Sequence, residues 1–238
     1  MVTKKKPNQK ADMINTPELP EDLQEVIWNE YLHGVRDRLQ ELQELQEWQG
    51  LNHVRSLCQG DAANFEMLLD WMAHMLQYPH IKPQRAVLLV GPPRCGMSLF
   101  ASLLTLLLGS ERAFRCSSIQ RNGDFEPGLE GALLAILDEP NLWEELPKIN
   151  VLVSEDQIRI RGLYATPQNV NSKHRVLVTS HVPLSPLLNY SHAFHQRFSV
   201  IQCGTVDGAA FYEAIHNPDR VASLRRSLLR RHVGALSL

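Results

Sequence analysis

The segment Gly91-Pro92-Pro93-Arg94-Cys95-Gly96-Met97-Ser98 follows directly on a short apolar run, AVLLVG, and leads directly into a helix-like run, MSLFASLLTLLLG. This junction leaves the chain few folds. A run that is apolar on both faces reads as a buried strand of a parallel sheet, and parallel strands need crossover connections, usually helices. The pattern G-x-x-x-x-G-K-[ST] between a strand and a helix is the phosphate loop. Its glycines let successive backbone N–H groups turn toward phosphate oxygens, and the helix N-terminus adds a partial positive charge. Ser98 stands where such a loop holds magnesium. One fixed position departs from the pattern: Met97 replaces the lysine.

That departure has a definite chemical content. Lysine would set an ammonium on the β- and γ-phosphates and neutralise charge during transfer. Methionine has similar reach but no charge and no donor. The backbone cradle survives, which leaves room for weak nucleotide binding, while hydrolysis is expected to be lost. Met97 is compatible with an introduced inactivating substitution and with a natural protein that only binds.

Three further strand-like runs follow: ALLAILDEP, HRVLVTS and FSVIQCG. Strands alternating with helices or hairpins predict an α/β fold, a P-loop sheet with flanking helices. Asp138 and Glu139 close the first of these runs, 47 residues after Gly91. An acid at that strand end belongs to the magnesium shell of P-loop enzymes, and a neighbouring Glu polarises water.

Before the loop, residues 1–20 read as a disordered tail and 21–80 as a small helical region. Residues 81–206 read as the P-loop core and 207–238 as a basic helical segment. In the helical region Leu39, Leu42, Leu45 and Trp48 make one narrow apolar stripe, suited to packing on a neighbouring subunit or on the chain's own core. Residues 61–78 predict a helix capped by Asp61 and ended before Pro79. No apolar run approaches the ~20 residues of a membrane span. The basic start lacks the apolar stretch of a secretory signal. Four dispersed cysteines without a CxxC pair imply reduced thiols and a cytoplasmic setting. His192 and His195, three apart, are a weak metal pair beside their ordinary packing role. The net charge of −2 hides local basic sets: Arg159, Arg161, Lys173 and Arg175, and then Arg220, Arg225, Arg226, Arg230 and Arg231. The second set reads first as the solvated face of a terminal helix.

The order of these motifs carries a family resemblance. Leu69-Asp70-Trp71-Met72-Ala73-His74-Met75-Leu76-Gln77, then Lys82-Pro83 and the phosphate loop, resembles the start of the helicase domain of phage and plasmid primase-helicases, within helicase superfamily 3. Ile158-Arg159-Ile160-Arg161-Gly162 resembles that family's central DNA-binding hairpin. Val176-Leu177-Val178-Thr179-Ser180 resembles its sensor strand, with His181 where the polar sensor is usually Asn. Gln196-Arg197-Phe198 resembles its arginine-finger segment. The resemblance spans residues 65–205. It implies an AAA+-like, ring-forming, ATP- and magnesium-dependent DNA helicase of a mobile-element or viral replication system, in a bacterial host or infected cell. It further implies a hexameric ring on single-stranded DNA, with replication partners and no membrane. Asp138, Glu139, His181 and Arg197 would be catalytic, Ser98 and Asp138 would hold the metal, and Arg159, Arg161, Tyr164 and Lys173 would meet DNA. Arg197 would reach the γ-phosphate held by the next subunit. Two other readings fit the same residues: a non-catalytic nucleotide-bound DNA-binding or assembly protein with a relic ATPase site, and a P-loop switch without a DNA track. Lysine restored at position 97 separates motor from relic.

Overall fold

The structure is a computed structural model that describes residues 23, 26–36, 49–121, 123–182 and 192–233. The chain divides into two compact units, 1–40 and 41–238. In the first unit residues 26–36 are helical, and Trp28 meets Tyr31 edge-on at 5.8 Å between ring centres. Ile27, Tyr31 and Val35 recur four apart on this helix and are exposed. The stripe of Leu39, Leu42, Leu45 and Trp48 lies outside the described residues, as do the side chains of His192 and His195.

The second unit is built on a parallel sheet of five strands in the order β2-β5-β8-β1-β9. These are β1 (Ala86–Val90), β2 (Ala113–Cys116), β5 (Leu134–Asp138), β8 (Arg175–Ser180) and β9 (Phe198–Gln202). The central strands β1, β5 and β8 are buried almost throughout, because both sheet faces are covered. Alternation along each strand splits the core in two. Val87, Leu89, Ile136 and Leu177 join one apolar cluster with α1 (Gln49–Leu57), α2 (Ala62–Gln77) and α3 (Met97–Leu108). Leu88, Val90, Leu137 and Val178 join another with α4 (Leu142–Ser154). The sequence analysis found four of these strands. It missed β2, whose AFRC is too short and too mixed in polarity to declare itself.

A second, four-stranded sheet has the order β3-β4-β6-β7. Its strands are β3 (Gln120–Arg121), β4 (Asp124–Phe125), β6 (Gln157–Ile160) and β7 (Gln168–Asn171). Strands β6 and β7 form an antiparallel hairpin, with Ile158 opposite Val170 and Ile160 opposite Gln168. Ile158 and Ile160 are buried and Arg159 is exposed, the expected one-sided alternation.

Three helices flank β9: α5 (His192–Arg197) precedes it, and α6 (Gly208–Ile215) and α7 (Pro218–Arg230) follow it. Helices α1, α2, α6 and α7 share one core with the sheet, so the boundaries expected at residues 80 and 206 are not breaks in packing. Asp61 caps α2 as predicted, accepting from the amides of Ala63 and Asn64 at 2.8 and 3.1 Å. Among the described residues no helix is long and apolar enough to cross a membrane.

Two members of the basic sets are not surface charges. Arg175 is wholly buried and donates to the carbonyls of Pro79, Lys173 and Tyr78, and burial lowers its pKa to about 10. Arg231 is buried between Glu66 and Asp70 of α2, at 2.5 and 2.6 Å. Arg225 and Arg226 do face solvent.

Candidate functional site

The phosphate-loop segment leaves β1 at Val90 and enters α3 at Met97. Two glycines are required by close approach. A Cβ at Gly91 would lie 2.8 Å from the Cβ of Cys203 and 2.9 Å from the Sγ of Cys95. Gly96 has φ 92°, and a Cβ there would lie 2.4 Å from the ring of His53. Arg94 takes the left-handed conformation as well, at φ 67°, which is unfavourable for a non-glycine residue. The backbone therefore curls tightly over His53 and opens the first amides of α3, which have no intrahelical partners. The loop, with Glu139, Thr179, His181 and Gly208, surrounds a cavity of about 410 Å³.

His53, on α1, is the floor of this loop. It is buried and stacks on Phe211 of α6 with ring centres 3.6 Å apart and planes 12° apart. Among the described residues, neither ring nitrogen has a hydrogen-bond partner. Burial lowers its pKa to about 4. Met97 lines the cavity but is 4% exposed and also belongs to the core cluster beneath it.

The opposite wall comes from the ends of β5 and β8. Parallel pairing sets Asp138 beside Thr179, and the Thr179 hydroxyl donates to Asp138 Oδ1 at 3.0 Å. Arg115 of β2 approaches from the other side and donates through Nε to Asp138 Oδ2 at 2.5 Å, with its Nη2 on the same oxygen. Both oxygens of Asp138 are thus engaged within the protein. Asp138 is also absent from the cavity lining, whereas Glu139 is in it. A divalent ion at Asp138 would have to compete with the Arg115 guanidinium for the carboxylate's charge, so Asp138 is a poor fit to the expected metal role as it stands. Among the described residues, no group of three or more His, Cys, Asp or Glu side chains could hold a metal ion. Ser98 is exposed at the start of α3 and lines the cavity.

Glu139 sits at φ 45°, a second left-handed non-glycine residue in the site. Such backbone strain concentrates where the surrounding structure has a use for it. Its Oε1 meets His181 Nε2 at 2.8 Å, while His181 Nδ1 lies 2.6 Å from the Gly91 carbonyl. His181 therefore ties the end of β8 to the loop after β1 and to Glu139.

The other expected site residues stand apart. Arg197, at the end of α5, donates to Ser154 Oγ at 3.0 Å and does not line the cavity. Arg159 and Arg161 both turn toward Asp124, which is buried, and Arg161 also donates to the Ala165 carbonyl. Tyr164, at the hairpin tip, is 97% exposed with φ 61°, and Leu163 beside it is 78% exposed. Lys173 lines a separate cavity of about 400 Å³ with His80 and Arg112. The sequence analysis missed Arg115 and His53. No local motif marks either one. Each is brought to the site only by the strand order and by the packing of α1 under the loop.

Together, the sheet, the glycine-bearing loop between β1 and α3, and the helices on both faces define a P-loop-like α/β fold. No protein-family model matches the chain, and no curated protein matches it. Solved structures do. An apo structure of the NrS-1 C-terminal region is similar at TM-score 0.59 and 16% identity, over 76% of this chain and 47% of that one. The A-form apo structure of the same region gives TM-score 0.60 at 17% identity over the same shares. The chain thus spans about half the length of the NrS-1 region it matches, and at this identity the similarity is one of fold.

Proposed function

We propose that this protein is a nucleoside-triphosphate-binding module of a replication assembly, with a site that binds ATP but does not hydrolyse it. The observation that carries the reading is the loop itself. Two glycines with no room for a side chain, and an open helix N-terminus, surround a cavity faced by Glu139, Thr179 and His181. Those features favour an anion whose oxygens can take backbone N–H groups. Loss of turnover has two supports. Met97 brings no cation, and Asp138 is already neutralised by Arg115. The strand order supports a P-loop motor ancestry, because the Thr179 strand lies between the phosphate-loop strand and the acid strand. The superfamily 3 resemblance of residues 65–205 points toward replication, and the P-loop-like fold shared with the NrS-1 C-terminal region is compatible with it.

The motor reading adds a homo-oligomeric ring around single-stranded DNA, with the exposed tip at Leu163 and Tyr164 facing the strand. In that ring Arg197 would leave Ser154 for the neighbour's phosphates. Calorimetric titration with ATP tests the core of the proposal. Saturable binding without phosphate release is the expected result, and no heat of binding at millimolar ATP refutes it. Mass photometry with ATP and an oligonucleotide tests the ring, which a strict monomer would exclude.

A further inference from the structure

We propose that the site holds its nucleotide without a divalent ion: Arg94 supplies the phosphate-facing cation that Met97 lacks, and Arg115 takes the cation's place on Asp138. This inference rests on the nucleotide-binding reading above.

A triphosphate brings several negative charges into the cavity. In an ordinary phosphate loop a lysine and a magnesium ion balance them. Both positions are altered here, and each alteration has a neighbour that answers it. Arg94 lies two residues before Gly96, lines the cavity, is exposed, and makes no hydrogen bond or ion pair among the described residues. It is held in a left-handed conformation that other residues avoid, within a loop pinned by Gly91 and Gly96. A guanidinium offers five donors in a planar fork that matches phosphate oxygens in pairs. An arginine with no partner among the described residues, at the rim of a phosphate loop, is therefore placed for that contact.

The second alteration concerns the acid. A carboxylate attracts a metal ion through charge that is not otherwise balanced. Asp138 has given that charge to Arg115, and its remaining oxygen to Thr179. Glu139, the other acid of the site, meets His181. An incoming divalent ion would break a charge-assisted pair and gain little beyond what it replaced. The protein's own cations supply the local positive field, and binding becomes indifferent to metal.

The test uses the full chain and ATP labelled on its ribose with a methylanthraniloyl fluorophore. Anisotropy is followed in excess magnesium and again in EDTA, with thermal unfolding of each variant as a check of folding. The unmodified chain is expected to bind with dissociation constants within about threefold in the two buffers, well inside the ~10-fold that one charged hydrogen bond controls. Arg94→Ala should weaken binding in both buffers by ~10-fold or more, and Arg94→Lys should recover part of the loss. Arg115→Ala, with Arg115→Gln as the milder change, should free Asp138 and make binding tighter in magnesium than in EDTA by roughly 10-fold. A tenfold loss in EDTA for the unmodified chain overturns the metal-free assignment and leaves nucleotide binding standing. Unchanged affinity in Arg94→Ala overturns the role of Arg94, and continued indifference to metal in both Arg115 variants overturns that of Arg115. No saturable binding in either buffer overturns the nucleotide-binding reading, and this inference with it.

Discussion

Position 97 shows how one side chain sets the chemistry of a loop whose backbone is intact. Restoring lysine there was the natural experiment from the sequence. The structure adds a second obstacle, because Arg115 still neutralises Asp138. Phosphate-release assays should therefore find background turnover for the unmodified chain and for Met97→Lys. The double change Met97→Lys with Arg115→Ala should raise turnover by about 10²-fold or more, the scale of one well-placed electrostatic group. Equal rates in the single and double variants would show that Arg115 has no part in the block. His53 makes a separate prediction. Its folded pKa, about 4, lies below the ordinary histidine value of 6.5, so between these values the unfolded chain binds more protons than the folded one. Its share of stability is present above pH 6.5 and lost as pH falls toward 4, on the order of 3 kcal/mol in all. Buried His174 has its pKa lowered by burial too and acts in the same direction. Denaturation at pH 7.5 and pH 5 should show a smaller difference in His53→Phe than in the unmodified chain; an identical difference would place the effect elsewhere.

At the scale of elements, the β6–β7 hairpin separates two kinds of residue that look alike in sequence. Arg159 and Arg161 were expected to contact DNA phosphates, but both turn toward the buried Asp124. Among the described residues, removing Arg159 leaves that carboxylate with only the longer contact from Arg161. Arg159→Ala should lower stability by about 1–2 kcal/mol, reduced from the full value for a buried pair because Arg159 is itself exposed. A urea midpoint unchanged from that of the parent chain would contradict this. Leu163 and Tyr164 at the tip contact little else. If the hairpin meets single-stranded DNA, Tyr164→Ala should weaken binding by about 1–3 kcal/mol, the value of stacking one base, with no change in thermal midpoint. Equal affinity of parent and variant for two unrelated oligonucleotides would remove the tip from any DNA surface.

At the scale of the whole molecule, the C-terminal helix is part of the P-loop body. Arg231 links α7 to Glu66 and Asp70 of α2, and Gln77 Nε2 donates to the carbonyls of Leu228 and Arg231, both at 2.7 Å. The helix that sequence reading treated as a basic appendage thus closes the core over α2 and α3. Arg231→Ala should cost about 1–3 kcal/mol, moderated by the partial exposure of both acids. A single unfolding transition at a lower midpoint is the expected trace. A separate early transition would mean that α7 melts independently of the sheet.

Apolar periodicity and glycine placement were enough to read four of the five parallel strands, the helix after the loop and the position of the glycine-bearing loop, because those signals are local. The run AVLLV is buried on both faces wherever it sits in such a sheet, and Gly91 and Gly96 mark close backbone approach within a few residues. What each charged residue does was not legible, because charge acts through space. Arg115 looks like any arginine on an edge strand until strand order sets β2 beside β5. Arg175 and Arg231 read as surface charge until packing buries them. His53 is one histidine of ten until α1 carries it under Gly96. Tertiary packing decided which cations are free to meet a phosphate, since pairing and desolvation depend on neighbours far away in the chain.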